Sequence, residues 1–171
     1  MSDHQFINNY LKDFIELLQP NEDITEELVK VRNLLQVISS SNKKVLIFGN
    51  GGSAAIASHF SVDLTKNAKI RCVNFNEASL ITCFANDYGF EHWAEKAVDF
   101  YGDEGDLLIV ISSSGQSQNM INAVKAARNG GFHSVVTLSG FLETNPLKEL
   151  GDINLWANNK SYNFVENIHQ I

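Results

Sequence analysis

The sequence predicts an α/β protein with a doubly wound, five-stranded parallel sheet, flanked by helices and preceded by a helical hairpin. Two observations predict it: short continuous apolar runs recur along the chain, and helical stretches separate them. Strands that are apolar at every position are typical of a parallel sheet covered by helices on both faces. The length of 171 residues suits one domain of this class.

The first 40 residues have apolar positions at helical spacing. They predict one helix over residues 6–18, which Pro20 closes, and a second over residues 23–39, which begins at the capping pair Asp23 and Glu26. The two segments together predict a helical hairpin.

This hairpin, residues 1–40, is expected to be an oligomer contact within the same domain as residues 41–171. Short helical hairpins with apolar faces seldom bury themselves completely, so a second copy of the chain is the expected cover. The alternative is that both helices pack only on their own domain. Residues 41–171 are expected to hold the ligand site.

The apolar runs after the hairpin predict the strands, at residues 45–48, 70–75, 107–111, 134–138 and 153–156. In doubly wound sheets, ligands bind beyond the carboxyl ends of the strands. The loops that follow residues 48 and 111 are therefore the expected places for chemistry.

Composition and charge narrow the possible partners. The 20 acidic and 13 basic side chains leave a net charge of −7, which disfavours nucleic acid and anionic lipid over most of the surface. Cys72 and Cys83 are too few for a disulfide framework, which favours a reducing, cytoplasmic setting. No apolar run approaches the roughly 18 residues of a membrane span, and no export signal begins the sequence.

The glycine loop, Gly49-Asn50-Gly51-Gly52-Ser53, leads from the first strand into a helix expected to reach about Thr65. Glycines leave the backbone amides accessible, and the amides and dipole at a helix start favour negative charge. The loop therefore suits a phosphate or a carboxylate. A tight turn that binds nothing is the alternative.

A nucleotide cofactor is not expected, although the glycine loop also has the Gly-x-Gly-x-x-Ala spacing of a dinucleotide site. That site needs an acidic residue at the end of the next strand. The sequence has Asn74 and Asn76 there, and Glu77 comes late. No Gly-Lys-Ser/Thr follows at the spacing of a nucleotide P-loop.

The serine loop, Ser112-Ser113-Ser114-Gly115-Gln116-Ser117, follows the most apolar strand and precedes a predicted helix over residues 119–128. Its four hydroxyls and the amides of a helix start can surround a phosphate without any lysine. Helix capping accounts for one or two of these serines. Four of them favour a small phosphorylated ligand.

Several motifs occur together in an order that resembles the sugar isomerase (SIS) domain family, and within it the isomerases of sedoheptulose 7-phosphate. They are Gly49 to Ser53, His59-Phe60, Asn86-Asp87-Tyr88-Gly89, the serine loop and Val165 to His169. The resemblance covers about residues 25–171. It implies a flavodoxin-like fold and a sugar phosphate as substrate.

The resemblance also implies roles for individual residues of the two loops. Ser112, Ser113, Ser114 and Ser117 hold the phosphate, while Asn50, Gly51 and Gly52 contact the sugar with help from Ser53. Asn86 and Asp87 touch substrate hydroxyls, although Asn-Asp-x-Gly is also good turn chemistry.

A zinc site is implied by the same resemblance, with His59, Asp63 and Glu166 as ligands. His59 and Asp63 are four residues apart and share a helix face, as do Glu166 and His169 at a spacing of three. The alternative for His59 is a histidine that is simply hydrogen-bonded to Asp63.

Three positions depart from the family pattern. The family has glutamate where Asp63 stands and glutamine where Glu166 stands, and its fourth ligand, a histidine, would be at position 174, beyond the sequence. The apolar positions of the last segment run up to Ile171, so the final helix is expected to continue in a longer chain.

The hypothesis is an aldose–ketose isomerase that works through an enediolate, with Asp63 as the general base and Glu166 as a further substrate contact. An unperturbed aspartate is a weak base for a carbon acid, so the hypothesis requires Asp63 to be buried. His169 is the candidate for proton return. The alternative is a catalytically silent SIS module that binds a sugar phosphate or a protein partner, as do family members that associate with the replication initiator.

Overall fold

The structure, a computed structural model, describes residues 1–171. Five parallel strands form one sheet in the order β2-β1-β3-β4-β5. The strands are β1 (Val45–Gly49), β2 (Cys72–Asn74), β3 (Leu107–Ser112), β4 (Ser134–Ser139) and β5 (Ile153–Trp156). This is the flavodoxin strand order, so the predicted fold class is confirmed.

Eight α-helices surround the sheet: α1 (Asp3–Leu17), α2 (Glu22–Ser40), α3 (Gly52–Lys66), α4 (Ala78–Tyr88), α5 (Trp93–Tyr101), α6 (Gln118–Asn129), α7 (Pro146–Leu150) and α8 (Tyr162–Gln170). Helices α2 and α3 pack on one face of the sheet, and α5, α6 and α7 on the other. Strands β1, β3 and β4 are therefore buried nearly throughout. This burial explains their continuous apolar sequences.

The two N-terminal helices begin earlier than predicted, because their caps lie upstream of the apolar pattern. Ser2 and Gln5 form a capping box that starts α1 at Asp3. The side chain of Asn21 caps α2, rather than Asp23. Hydrophobic periodicity shows where a helix packs, whereas these polar caps set where it begins.

The two helices of the hairpin differ in burial. Helix α2 buries Val31, Leu34 and Ile38 against the sheet, whereas α1 buries no residue. Helix α1 contacts the body of the protein through Tyr10 and Phe14, whose rings pack on Phe164 of α8. The boundary at residue 40 and the oligomer contact stay predictions. No helix has both the length and the apolar character needed to cross a membrane.

Candidate functional site

The site lies at the carboxyl edge of the sheet, where β1 and β3 run side by side and the helices that follow them turn to opposite faces. This divergence opens a crevice between the glycine loop and the serine loop. One pair of side chains spans it: Asn50 and Asn119 exchange two hydrogen bonds of 2.9 and 3.0 Å. The two loops predicted from sequence are thus brought together.

The glycine loop keeps its backbone amides available. Gly51 has φ +56° and open space where a Cβ would be, a conformation that favours glycine. The amides of Asn50 and Gly51 donate to no acceptor within the protein. Those of Gly52 and Ser53 belong to the first turn of α3 and have no intrahelical partner. The loop therefore offers donors to an acceptor in the crevice.

Glu166 of α8 occupies part of this glycine loop. A methyl group on Gly52 would overlap the Glu166 carboxylate, so the absence of a side chain at residue 52 makes room for it. The carboxylate lies beside the positive end of the α3 dipole, which favours negative charge there. A second anion at this end of α3 would meet the negative charge of Glu166.

The serine loop packs against the residues at the start of α7. Gly115 has φ +65°, and a Cβ there would overlap the side-chain amide of Asn145. Leu147 N donates to Gly115 O at 3.0 Å. Asn145 is itself completely buried, accepts a hydrogen bond from Lys148 N and donates to Ser139 Oγ at 3.1 Å. The loop shape is therefore set by the start of α7.

The hydroxyls of the serine loop are only partly used by the protein. Ser112 and Ser117 share one hydrogen bond of 3.0 Å, and Ser114 Oγ accepts from Gln116 N at 3.2 Å. Ser113 is 4% exposed, and its hydroxyl has no hydrogen-bond partner. A buried hydroxyl without a partner is costly, and an acceptor atom from a ligand would relieve that cost.

Backbone amides add to these donors. Those of Ser113, Ser114 and Ser117 donate to no acceptor within the protein. Helix α6 begins at Gln118, so the amides of its first turn point back to the same loop. Together the amides and hydroxyls form a neutral anion site without a carboxylate among them.

Helix α8 closes the edge of the sheet beyond β4. Val165 packs over Gly140, and His169, one turn later, donates from Nε2 to Ser139 O at 3.1 Å. Burial lowers the pKa of His169 to about 4, against the opposing effect of this hydrogen bond. The imidazole is therefore neutral near pH 7, and its buried Nδ1 has no partner.

This state of His169 bears on its predicted role in proton return. The ring hydrogen at Nε2 is bonded to a carbonyl, and Nδ1 carries a lone pair. His169 would have to accept a proton before it could return one. The geometry thus favours an acceptor at this position, and proton return from His169 stays a prediction.

His59 and Asp63 lie together on α3, as their spacing predicts, with His59 Nε2 at 3.2 Å from Asp63 Oδ2. Gln170 of α8 approaches the other ring nitrogen of His59 at 3.4 Å, and Asn67 donates to Asp63 at 3.0 Å. The pair is exposed, with 61% and 52% of the side chains accessible. The burial that the base role of Asp63 requires is not found within one chain.

Position along α3 separates Asp63 from the loops. Gly52 begins the helix and Asp63 lies 11 residues later. At about 1.5 Å per residue the two are roughly 16 Å apart along the axis. The loops and Asp63 therefore occupy different ends of the same helix.

The predicted zinc ligands do not assemble into a metal site in this chain. No group of three His, Cys, Asp or Glu side chains has the geometry to hold a metal ion. His59 and Asp63 form a pair, but Glu166 lies against Gly52 at the start of α3. Within one chain the three residues do not fit a three-ligand zinc site, because Glu166 of α8 lies at the start of α3, away from the His59–Asp63 pair.

Asn86 and Asp87 lie in the last turn of α4 and are exposed. Asn86 Nδ2 donates to Asp87 Oδ1 at 2.8 Å, and no hydrogen bond joins either residue to the two loops. The turn itself begins later, at Gly89, whose φ is +92°. Their contact with substrate stays a prediction.

The residues at the end of β2 and just after it occupy the position where a dinucleotide site has its acidic residue, and they have other roles here. The Asn74 side chain donates to Ser61 Oγ, and Asn76 donates to Ala54 O and Ser58 Oγ, so both amides fasten α3. Glu77 caps α4, and its hydrogen bonds from Ser79 and Leu80 lower the pKa of its carboxyl group. None of these side chains is free for a ribose.

Asn119 and Asn145 were missed by sequence reasoning. Each is a buried asparagine that holds a loop of the site, Asn119 through Asn50 and Asn145 through the contact with Gly115. A polar residue at a buried position of an amphipathic helix is the signal that could have found Asn119. Asn145 before Pro146 reads only as a helix cap.

The comparison with known families identifies the class of protein. A family model described as the SIS domain matches residues 9–140. The chain belongs to the SIS domain family, and the resemblance found in the sequence is confirmed.

Individual relatives are more specific than the family. A phosphoheptose isomerase of Fusobacterium nucleatum is 38% identical over 166 residues, covering 94% of this chain and 82% of the relative. The structure of a phosphoheptose isomerase from Neisseria gonorrhoeae superposes with a TM-score of 0.89 at 32% identity, covering 99% of this chain and 93% of the other. One from Francisella tularensis gives 0.85 at 26% identity, with the same coverage.

Proposed function

We propose that the protein is an aldose–ketose isomerase that converts sedoheptulose 7-phosphate into D-glycero-D-manno-heptose 7-phosphate through an enediolate. The similarity to phosphoheptose isomerases over most of both chains supports this substrate. The reaction is an internal redox exchange between two neighbouring carbons, so it needs no nucleotide cofactor.

The observation that carries the proposal is that several hydrogen-bond donors of the serine loop have no acceptor within the protein. A phosphate dianion needs several hydrogen bonds to replace its water shell. The hydroxyl of Ser113 and the amides of Ser113, Ser114 and Ser117 have no protein partner. Because these donors are neutral, the site suits an acidic protein of net charge −7.

Charge also indicates which loop takes which end of the substrate. The Glu166 carboxylate at Gly52 repels a phosphate from the glycine loop, whereas the serine loop has no such neighbour. We therefore place the phosphate at Ser112 to Ser117 and the sugar hydroxyls at Asn50 to Ser53. Glu166 can accept a hydrogen bond from a hydroxyl and so serves as a sugar contact.

The chemical step requires a base that removes a proton from the carbon beside the carbonyl and a group that returns a proton to the neighbouring carbon. Asp63, supplied to the site by a second copy of the chain, is our candidate for the base, and His169 is the candidate for proton return. Within one chain it is exposed and roughly 16 Å along α3 from the loops. Burial between copies would desolvate the carboxylate and raise its pKa toward that of a useful base.

The surface of the hairpin supports such an assembly. Helix α1 buries no residue, and large apolar side chains remain exposed on it and at its C-cap, namely Phe6, Ile7, Leu11, Ile15 and Leu18. A patch of this kind supports self-association. The oligomer, a dimer or tetramer, and a cytoplasmic location belong to the proposal.

The proposed reaction includes no metal step, because the predicted zinc ligands do not converge in one chain. Zinc binding stays a prediction. Metal analysis of the purified protein by mass spectrometry tests it directly.

The test of the proposal is an assay in deuterated water with purified protein and sedoheptulose 7-phosphate. Ion chromatography measures the aldose phosphate formed, and mass spectrometry measures solvent deuterium in substrate and product. An enediolate route predicts aldose formation with incorporation of deuterium at carbon. Ribose 5-phosphate is the control for chain length. Absence of both aldose and deuterium contradicts the proposal.

One observation favours the second candidate, a catalytically silent SIS module that binds sugar phosphate or a protein partner. The exposed Asp63 is not set up as a base within one chain. A thermal-shift series separates the two candidates. Stabilisation by sedoheptulose 7-phosphate without turnover selects the binding module, and no stabilisation at all points to a protein-interaction role.

A further inference from the structure

The amide pair between Asn50 and Asn119 links two loops that lie at the starts of different helices. Asn119 is 3% exposed in the first turn of α6, whereas Asn50 is half-buried in the glycine loop. Asn50 Nδ2 donates to Asn119 Oδ1 at 2.9 Å, and Asn119 Nδ2 donates to Asn50 Oδ1 at 3.0 Å. One amide is thus fixed inside the protein while the other reaches the open crevice.

A third hydrogen bond decides which way both amides point. The oxygen and nitrogen ends of an asparagine have nearly the same shape, so only their partners distinguish them. Met120 N donates to both Ser117 O at 3.0 Å and Asn119 Oδ1 at 3.1 Å, and a backbone N–H can only donate. The Asn119 oxygen therefore lies on the side of the Met120 amide. Asn50 must then present its nitrogen to the Asn119 oxygen and its oxygen to the Asn119 nitrogen.

As a consequence, the direction in which the Asn50 amide presents its remaining donor and acceptor to the crevice is fixed. Its amide uses one hydrogen of Nδ2 and one lone pair of Oδ1 on Asn119. One donor and one acceptor remain, and their directions are set by the pair. A vicinal diol of a sugar can use both, because each hydroxyl both donates and accepts.

We propose that Asn119 is a positioning residue that sets the orientation of the Asn50 amide toward the sugar hydroxyls, an inference that rests on the proposed function. Asn119 lies two residues after the last serine of the serine loop, so it also fixes the sugar contact relative to the phosphate loop. It acts only through Asn50, without touching the substrate.

A double-mutant cycle tests this dependence. Asn119→Leu keeps the volume and removes the polar group, Asn50→Leu removes the sugar contact, and Asn50→Leu/Asn119→Leu removes both. Asn122→Leu is the matched control, because Asn122 lies one turn further along α6 and donates to Glu91 O instead. The cycle is read in kcat/KM for sedoheptulose 7-phosphate and in its Kd by calorimetry.

The expected result is strong non-additivity. Asn119→Leu lowers kcat/KM about 10- to 100-fold, in the range for lost hydrogen bonds to a positioned group, and Asn50→Leu lowers it at least as much. The double variant is no worse than Asn50→Leu alone, since Asn119 then has nothing to orient. The Kd for inorganic phosphate stays as in Asn122→Leu. Multiplicative losses, or an equal loss of phosphate affinity, overturn the inference.

Failure of the proposed function gives a different pattern. If the wild-type protein binds sedoheptulose 7-phosphate without turnover, the proposed function fails and the cycle is still read in Kd. A crystal structure of Asn119→Leu needs no ligand at all. A rotated or disordered Asn50 amide supports the inference, and an unmoved, well-ordered amide contradicts it.

Discussion

The serine loop and the His59–Asp63 pair are the two regions that carry the predicted chemistry. They differ in how far one chain alone buries and positions their functional groups. The serine loop is half-buried to buried except at Gln116, is braced by Asn145, and has backbone amides without acceptors. The His59–Asp63 pair is more than half exposed, and its partners are other surface side chains. One chain thus gathers the donors of the proposed phosphate site but leaves the proposed base exposed.

The difference shows what each function demands of a fold. Phosphate binding needs donors that are held in place, and backbone amides at a helix start meet that need within one chain. A general base for a carbon acid needs a carboxylate removed from water. An acidic side chain on the outer face of a helix obtains that only from a second surface.

Asp63→Asn is expected to have the largest effect and to separate the two regions most sharply. It removes the proposed base, so kcat should fall about 10²- to 10⁴-fold, while the Kd for inorganic phosphate is unchanged. Steady-state kinetics and calorimetry measure the two. Asp99→Asn, at another exposed and ion-paired aspartate, is the control. Unchanged turnover in Asp63→Asn would remove Asp63 from the mechanism.

The pH dependence of stability tests the closure of the site by α8. His169 has an ordinary pKa near 6.5 in the unfolded chain and a pKa of about 4 in the fold. As the pH falls, the unfolded state takes up the proton first. Stability present above pH 6.5 is therefore lost progressively toward pH 4, by about 3 kcal/mol.

His169→Gln should flatten this loss, because glutamine does not titrate. Urea unfolding at pH 7, 5.5 and 4.5 measures it, with His133→Gln, at an exposed histidine, as the control. An equally steep acid destabilisation in both variants would show that His169 is not buried in its neutral form.

A comparison of two glycines tests the rigidity of the serine loop. Gly51→Ala places a methyl group in open space but at φ +56° and ψ −122°, so a backbone cost of about 1–3 kcal/mol is expected. Gly115→Ala adds an overlap with the Asn145 amide, so its loss of unfolding free energy should exceed that of Gly51→Ala by about 1 kcal/mol or more. Denaturant unfolding measures both. Equal losses would mean that Asn145 does not brace the loop.

Ser113→Ala is expected to have the smallest effect on stability. It should leave the unliganded protein at least as stable as before, but weaken the binding of phosphate. Removing a buried hydroxyl without a partner leaves the unliganded protein as stable as before, or up to about 1 kcal/mol more stable. Affinity for inorganic phosphate should fall about 10-fold or more. Ser112→Ala is the matched comparison, since it also loses the bond to Ser117. A loss of stability without a loss of affinity would assign Ser113 a purely structural role.

The fold could be predicted almost completely from the sequence because its signals are local. The central strands β1 and β3 are nearly continuous apolar runs, and the two predicted loops follow these two strands. The donors of the serine loop could also be predicted, since amides at a helix start are free in any fold. The helix starts at Asp3 and Glu22 were displaced because their caps precede the apolar pattern, and the strand expected at residues 70–75 is shorter, Cys72–Asn74.

The remaining features depend on tertiary contacts that spacing does not encode. Sequence spacing places His59 beside Asp63, but it does not show that Glu166 of α8 lies against Gly52 at the start of α3. The Asn50–Asn119 pair joins residues that are far apart in sequence. The exposure of Asp63 could not be predicted either, because one helix pattern does not show which neighbours cover it.

A crystal structure of the protein with sedoheptulose 7-phosphate would show directly where the phosphate binds. We expect phosphate oxygens within hydrogen-bond distance of Ser113 Oγ and the amides of the serine loop, with the sugar extending toward Asn50. A phosphate bound at the glycine loop beside Glu166, or an occupied site that leaves the serine loop empty, would contradict it.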